Sequence, residues 1–136
     1  MPVSELVYPQ WPASAAVRAF TTTRAGGVSQ GAWASFNLGD RTGDAVADVA
    51  ENRRRFRGLL PSEPGWLRQV HGAQVRRRET LTVSDYTGDA VWTGAGKLAC
   101  TVVTADCLPV LFCDRGATVV AAAHAGWRGL AGGVLE

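Results

Sequence analysis

The sequence has little of several things that usually mark a special class of protein. Its 136 residues include two histidines and three cysteines. Cys100, Cys107 and Cys113 are odd in number and share one apolar region, which excludes the paired framework of a small secreted domain. Free thiols fit a reducing compartment. No apolar run is long enough to span a bilayer, and the opening MPVSELVYPQWPASAAVRAF has no basic segment followed by a continuous apolar one. A cytoplasmic location is expected. The 14 basic and 12 acidic residues leave a formal net charge of +2, too even for a nucleic-acid or membrane-surface footprint. Any anion site must be local. No repeat and no low-complexity segment is present.

What remains is the composition of a foldable globular chain, 46% hydrophobic and 19% charged. The length suits a single domain over residues 1–136. VRAFTTTR, ending at Arg24, reads as a strand feeding the Gly- and Ser-rich loop AGGVSQGAWASFNLG. GDAVADVAENRRRFRGLLP is the clearest helix. Val46, Val49, Phe56 and Leu59 fall near one face, Asp44 is a natural N-cap, acidic residues lie early and arginines late, and Pro61 stops it. RRRFR within it reads as a solvated helix face. GWLRQVHGAQVRRRETL predicts strand, turn, strand around His71-Gly72. Four β-rich segments follow: DAVWTG, KLACTVVTAD, CLPVLFCD and ATVVAAAHAG. GWRGLAGGVLE predicts a turn opening a helix.

Three chemistry-bearing residues sit at ends of elements, where a rigid scaffold can aim them into a cleft. His71 precedes Gly72, Cys107 lies between Asp106 and Leu108-Pro109, and His124 is followed by Ala125-Gly126. Two histidines and a cysteine suit a catalytic zinc, which takes three protein ligands and keeps a fourth position open. The same residues also suit a metal-free thiol hydrolase, with Cys107 as nucleophile and a histidine as base. Their separations (107 − 71 = 36 and 124 − 107 = 17) match no compact zinc motif. Cys100 and Cys113, in LACTVV and VLFC, are expected to pack as small hydrophobes. Arg24 before a Gly-Gly turn and Arg128 in Gly-Trp-Arg-Gly are candidates for an oxyanion subsite, or braces that bond backbone carbonyls.

TTRAGGVS, SFNLG, ENRRR, QVHG, DAVWT, TADCLPVLFCD and AAAHAGWRGLAGGVLE occur in the order found in the YfiH family, also called the laccase-domain or polyphenol-oxidase family. The chain resembles the amino-terminal part of those longer proteins. The resemblance implies an α+β fold, a mixed β-sandwich flanked by helices and similar to the catalytic domain of cytotoxic necrotizing factor, a deamidating toxin. It implies metal ligation by His71, Cys107 and His124, with zinc as the cofactor. It implies phosphorolysis of purine nucleosides (adenosine, inosine, guanosine, methylthioadenosine), with adenosine deamination as a side activity. Editing of peptidoglycan precursors by amide hydrolysis is an alternative, and an inactive truncated fragment another. Zinc held by two imidazoles and a thiolate activates water for hydrolysis. Phosphorolysis needs a held phosphate, which Arg24 or Arg128 would supply. Asp106 is expected to orient a histidine as a supporting acceptor. Multicopper chemistry needs many imidazoles, and the chain owns two, so copper is expected only as an adventitious occupant.

Overall fold

A computed structural model describes residues 5–136. The first four residues, part of the amino-terminal stretch read above for a leader, lie outside it. The described residues gather into two compact units, one of residues 5–11 and 18–60, the other of residues 12–17 and 61–136. Two sheets and few helices make the architecture α+β, the expected fold class. Among the described residues no helix is long and apolar enough to cross a membrane.

In the first unit, β1 (Leu6–Val7) pairs antiparallel with β2 (Thr21–Thr22). The strand expected over VRAFTTTR is therefore two residues long. The principal helix, α1 (Val46–Arg57), lies inside the expected span but ends at Gly58, before Pro61 is reached. Asp44 is not its N-cap. Ala45 holds that position without a side-chain cap, while the Asp44 carboxylate accepts from Ser29 Oγ at 2.5 Å and Asn37 Nδ2 at 3.1 Å. Those bonds, the one from Ser29 first, hold its pKa below the ordinary value against a smaller opposing effect of burial.

The buried stripe of α1 is Val49, Asn52 and Phe56, and Val46 is exposed. Asn52 is wholly buried and saturated. Its Nδ2 donates to Ser29 Oγ (2.9 Å), Asn37 O (2.9 Å) and Ser35 O (3.3 Å), and its Oδ1 accepts from Val28 N (2.9 Å). The polar residue thus does what a sheet partner does elsewhere: it satisfies the backbone of the long Gly- and Ser-rich loop. RRRFR is only partly a solvated face. Arg53 Nε reaches Leu38 O at 2.9 Å, Arg55 NH1 reaches Gly26 O at 2.9 Å, and Arg54 alone of the three stands largely in solvent, paired with Glu51. The reason is geometric: carbonyls of the loop face the helix and need donors with reach.

In the second unit, β3 (Val75–Arg77), β4 (Ala90–Thr93), β5 (Leu108–Cys113) and β6 (Val120–Ala125) form a four-stranded sheet in the order β3-β4-β6-β5. β3 and β4 run parallel, and the other two pairings are antiparallel. The central strand β6 is rich in alanine, and its Ala123 and Ala125 pack with Ala90 of β4 and with Val134, which follows α2 (Trp127–Ala131). That helix opens directly after Gly126, as expected from the Gly-Trp-Arg-Gly turn.

Two expected strands are absent. The segment before His71-Gly72 makes only an isolated bridge at Arg68, and KLACTVVTAD forms no strand. In the latter, side chains take the place of a ladder. Gln69 brackets Val103, its Nε2 donating to Val103 O at 2.7 Å and its Oε1 accepting from Val103 N at 2.8 Å. Ser62 Oγ accepts from Ala99 N, and Arg78 Nε donates to Ala99 O.

Candidate metal centre

The sheet register explains how residues far apart in sequence meet. Leu108 lies opposite Ala125 and Pro109 opposite His124, so Cys107, the residue before β5, arrives beside the end of β6. On the other flank of β6, Ala90 pairs with Ala123, which sets Asp89 beside His124; the His124 N–H donates to Asp89 O at 2.7 Å. Both neighbours of His124 are thus fixed by backbone pairing.

His71 reaches the same place by a different route. It sits in the left-handed region with φ +59°, a conformation that a residue bearing a Cβ adopts only when its surroundings compensate. The compensation is a single carboxylate. Asp89 Oδ1 accepts from Val70 N and Gly72 N, both at 3.0 Å, and Oδ2 accepts from His71 N at 2.9 Å. Oδ2 also lies 2.8 Å from His124 Nδ1. Asp89 is wholly buried. Burial acts to raise its pKa, but the bonds from His124 and the three N–H groups outweigh it and the net shift is downward. An ionised carboxylate only accepts, so Nδ1 of His124 carries a hydrogen toward Asp89 Oδ2, and in the neutral ring Nε2 is the nitrogen with the lone pair.

The outcome is a cluster in which His71, Cys107 and His124 each offer a ligand atom within 4.8 Å of the others. The two imidazoles meet edge to face with centroids 4.8 Å apart. His124 is buried, Cys107 half-buried and His71 exposed, so the cluster is anchored at one side and open at the other. A tetrahedral cation bound at ~2.0–2.3 Å requires donor separations of about 3.3–3.6 Å, against donor atoms that here lie within 4.8 Å of one another. Two nitrogens and a sulfur fit one borderline-soft cation. They do not fit a multicopper cluster, which needs more imidazoles than this chain contains.

Two glycines make the crowding possible. A Cβ on Gly126 would stand 2.8 Å from Cys107 Sγ and 3.5 Å from His71 Cδ2, and one on Gly129 would stand 3.0 Å from Gly72 O. Both positions carry backbone where a side chain would displace the cluster or its supporting turn.

The remaining sequence candidates each have their own surroundings. The carboxylate on His124 is that of Asp89, not the expected Asp106, whose Oδ1 lies 3.9 Å from Cys107 Sγ. Residues 105–107 form a bend before β5 rather than extended chain, which turns the Asp106 carboxylate toward the Cys107 thiol. Arg24 belongs to the first unit, where its Nε donates to Ala34 O at 2.8 Å and its own carbonyl accepts from Ser35 and Phe36. It lines an open surface depression with Glu5, Thr23 and Ser35. Arg128 is exposed on α2, its guanidinium 5.2 Å from the centroid of the Trp127 ring. Cys100 and Cys113 stay outside the cluster, and burial, the dominant influence, pushes the Cys100 thiol up to about 12.

Fold and cluster together define an α+β protein with a two-histidine, one-cysteine candidate metal site. Residues 18–136 match the family described as multi-copper polyphenol oxidoreductase laccase, and the chain belongs to that family, the YfiH family. A Pseudomonas aeruginosa protein named purine nucleoside phosphorylase is 56% identical over 128 residues, covering 94% of this chain and 52% of the relative. The Escherichia coli purine nucleoside phosphorylase YfiH is 50% identical over 136 residues, covering 98% and 56%. A crystal structure of a Neisseria meningitidis protein superposes with a TM-score of 0.89 at 49% identity, covering 97% of this chain and 55% of that one. The structure of YlmD from Geobacillus stearothermophilus gives 0.75 at 32% identity. The chain spans about half the length of the curated relatives it matches.

Proposed function

We propose that the chain acts as a zinc-dependent purine nucleoside phosphorylase on adenosine, inosine, guanosine and methylthioadenosine, with adenosine deamination as a side activity. The observation that carries the metal part is the convergence of His71, Cys107 and His124 within 4.8 Å. The substrate class is supported by the names of the Pseudomonas and Escherichia relatives. In phosphorolysis a phosphate oxygen bonds to the anomeric carbon of the ribose as the bond from that carbon to the purine nitrogen breaks. A sugar 1-phosphate and the free purine result, the purine nitrogen taking the proton that the phosphate brings.

The chain's residues contribute binding and orientation. His71, Cys107 and His124 would hold the cation, His124 from the buried side and His71 from the exposed side by which substrate enters. Bound zinc would supply Lewis-acid polarisation of an oxygen set against its open position, the chemistry that deamination uses. Arg24 and Arg128 are the two candidates for holding the phosphate, and each is tested by its own substitution. Asp106 is retained as a supporting residue through its contact with the Cys107 thiol. Copper is proposed only as an adventitious occupant, favoured by intrinsic affinity. Nucleoside and phosphate are the proposed partners, and the free thiols of Cys100, Cys107 and Cys113 support placing the chain in the cytoplasm. The β-sandwich and its likeness to the deamidating toxin belong to the same proposal.

The experiment is base release from inosine and adenosine with and without phosphate, on protein purified without chelator. Phosphate-dependent release with bound zinc supports the reading. Turnover of amides by metal-free protein, lost on alkylating Cys107, would favour a cysteine hydrolase. Zinc-dependent amide hydrolysis of cell-wall precursors would favour peptidoglycan editing, and silence in all assays an inactive fragment.

A further inference from the structure

We infer that Asp89 is a positioning residue that aligns both histidines of the cluster at once: it fixes which nitrogen of His124 faces the cluster and holds the backbone turn that presents His71. The inference rests on the reading of the cluster as a cation site and deepens it. One carboxylate touches two ligand residues that lie 53 positions apart (124 − 71 = 53), the first through the backbone and the second through the ring.

The division of labour between the two oxygens gives the inference its content. Oδ1 serves the turn alone, bonding Val70 N and Gly72 N. Oδ2 is shared between His71 N and His124 Nδ1. His71 keeps φ +59° because three consecutive N–H groups point at one acceptor pair, a concave arrangement that an extended conformation would dismantle. His124 keeps a hydrogen on Nδ1 because Oδ2 accepts it, and in the neutral ring this leaves Nε2 as the lone-pair nitrogen for a cation. A side chain that merely filled the space would do neither.

Asp89→Asn makes the inference testable, since asparagine is nearly isosteric but has one acceptor and one donor. The amide oxygen keeps most bonds by taking the place of Oδ1, where two N–H groups converge. Its NH2 then faces His124 Nδ1 and the His71 N–H. The ring must accept at Nδ1 and move its hydrogen to Nε2, the atom a cation needs, while His71 N loses its acceptor.

The experiment reads the 15N chemical shifts and couplings of the neutral His124 ring in metal-free protein, together with zinc affinity. Wild type is expected to carry its hydrogen on Nδ1, Asp89→Asn on Nε2, and zinc affinity is expected to fall by about 10–100-fold in the variant. Amide exchange at Val70, His71 and Gly72 should be slow in wild type and faster in the variant. A wild-type ring with its hydrogen on Nε2, or a folded variant with unchanged tautomer and zinc affinity, overturns the inference. If wild type binds no zinc yet shows the Nδ1 hydrogen and the variant reverses it, the cation reading fails and the positioning role stands. Should the variant fail to fold, the wild-type ring decides: hydrogen on Nδ1 supports the role, and hydrogen on Nε2 ends it.

Discussion

Gly126 and Cys107 approach so closely that a β-carbon on the glycine would stand 2.8 Å from the sulfur. The contact follows from register: Leu108 pairs with Ala125, so the residue before one and the residue after the other must face each other. Gly126→Ala therefore pushes the thiol out of the cluster, or shifts the start of α2. Zinc binding is expected to weaken by about tenfold while the far-UV circular dichroism of the chain is retained. Equal zinc affinity in the alanine variant would show that Cys107 is not held in this position. An added methyl in a tight site costs about 1–3 kcal/mol in strain, enough for that tenfold change.

Cys100 and Cys107 should separate by reactivity. Burial pushes Cys100 up to about 12, so at pH 8 it is almost wholly protonated and inert toward iodoacetamide. Cys107 is half-buried beside the exposed His71 and is expected to be alkylated in metal-free protein and protected by stoichiometric zinc. Peptide mapping after alkylation checks both. Labelling of Cys107 at an unchanged rate in zinc would count against thiolate ligation.

Asn52 holds the first unit's long loop, with donors to Ser29, Ser35 and Asn37 and an acceptor for Val28. Asn52→Ala strands these groups in a buried setting and is expected to lower stability by about 2–4 kcal/mol, measured by urea denaturation. Asn52→Asp should cost more, because a carboxylate then faces two backbone carbonyls. A midpoint unchanged by the alanine substitution would contradict the assigned role.

Glu51 is lowered from 4.5 to about 2, first by the hydrogen bond from Arg54 and then by that from Arg55. A carboxyl depressed on folding stabilises the folded state above its unfolded pKa and loses that contribution as pH falls through the folded one. The stability gap between wild type and Glu51→Gln should therefore be full above about pH 5 and close between pH 4.5 and about 2. The pair is largely solvated, so the gap is small, and thermal melting across that range reads it. A gap that stays constant across the window would remove the ion pair as its source.

The parts of this fold legible in the sequence are those whose backbone is satisfied locally or by a regular neighbour. VADVAENRRRFR shows its helix through charge placement and spacing, and CLPVLFC and VVAAAHA show their strands through apolar, β-rich composition bounded by turn residues. His71, Cys107 and His124 stood out because the chain has few such residues and sets each at the end of an element. Asp89 did not. An aspartate before a strand is ordinary, and its position opposite His124 exists only in the register of β4 on β6. KLACTVVTAD failed as a strand for a related reason: Gln69, Ser62 and Arg78 supply its partners from side chains, and nothing in its own pattern records that. The long loop held by Asn52 is a third case, a buried polar residue on the inner face of an otherwise readable helix.

The most direct test of the account is metal content by mass spectrometry on the intact chain and on Cys107→Ala, both purified without chelator. The chain is expected to carry one zinc ion, and the variant close to none, with phosphate-dependent base release lost in step. A variant that keeps its zinc and its turnover, or a wild-type chain that takes up no metal when zinc is supplied, would contradict the claim that His71, Cys107 and His124 share one cation.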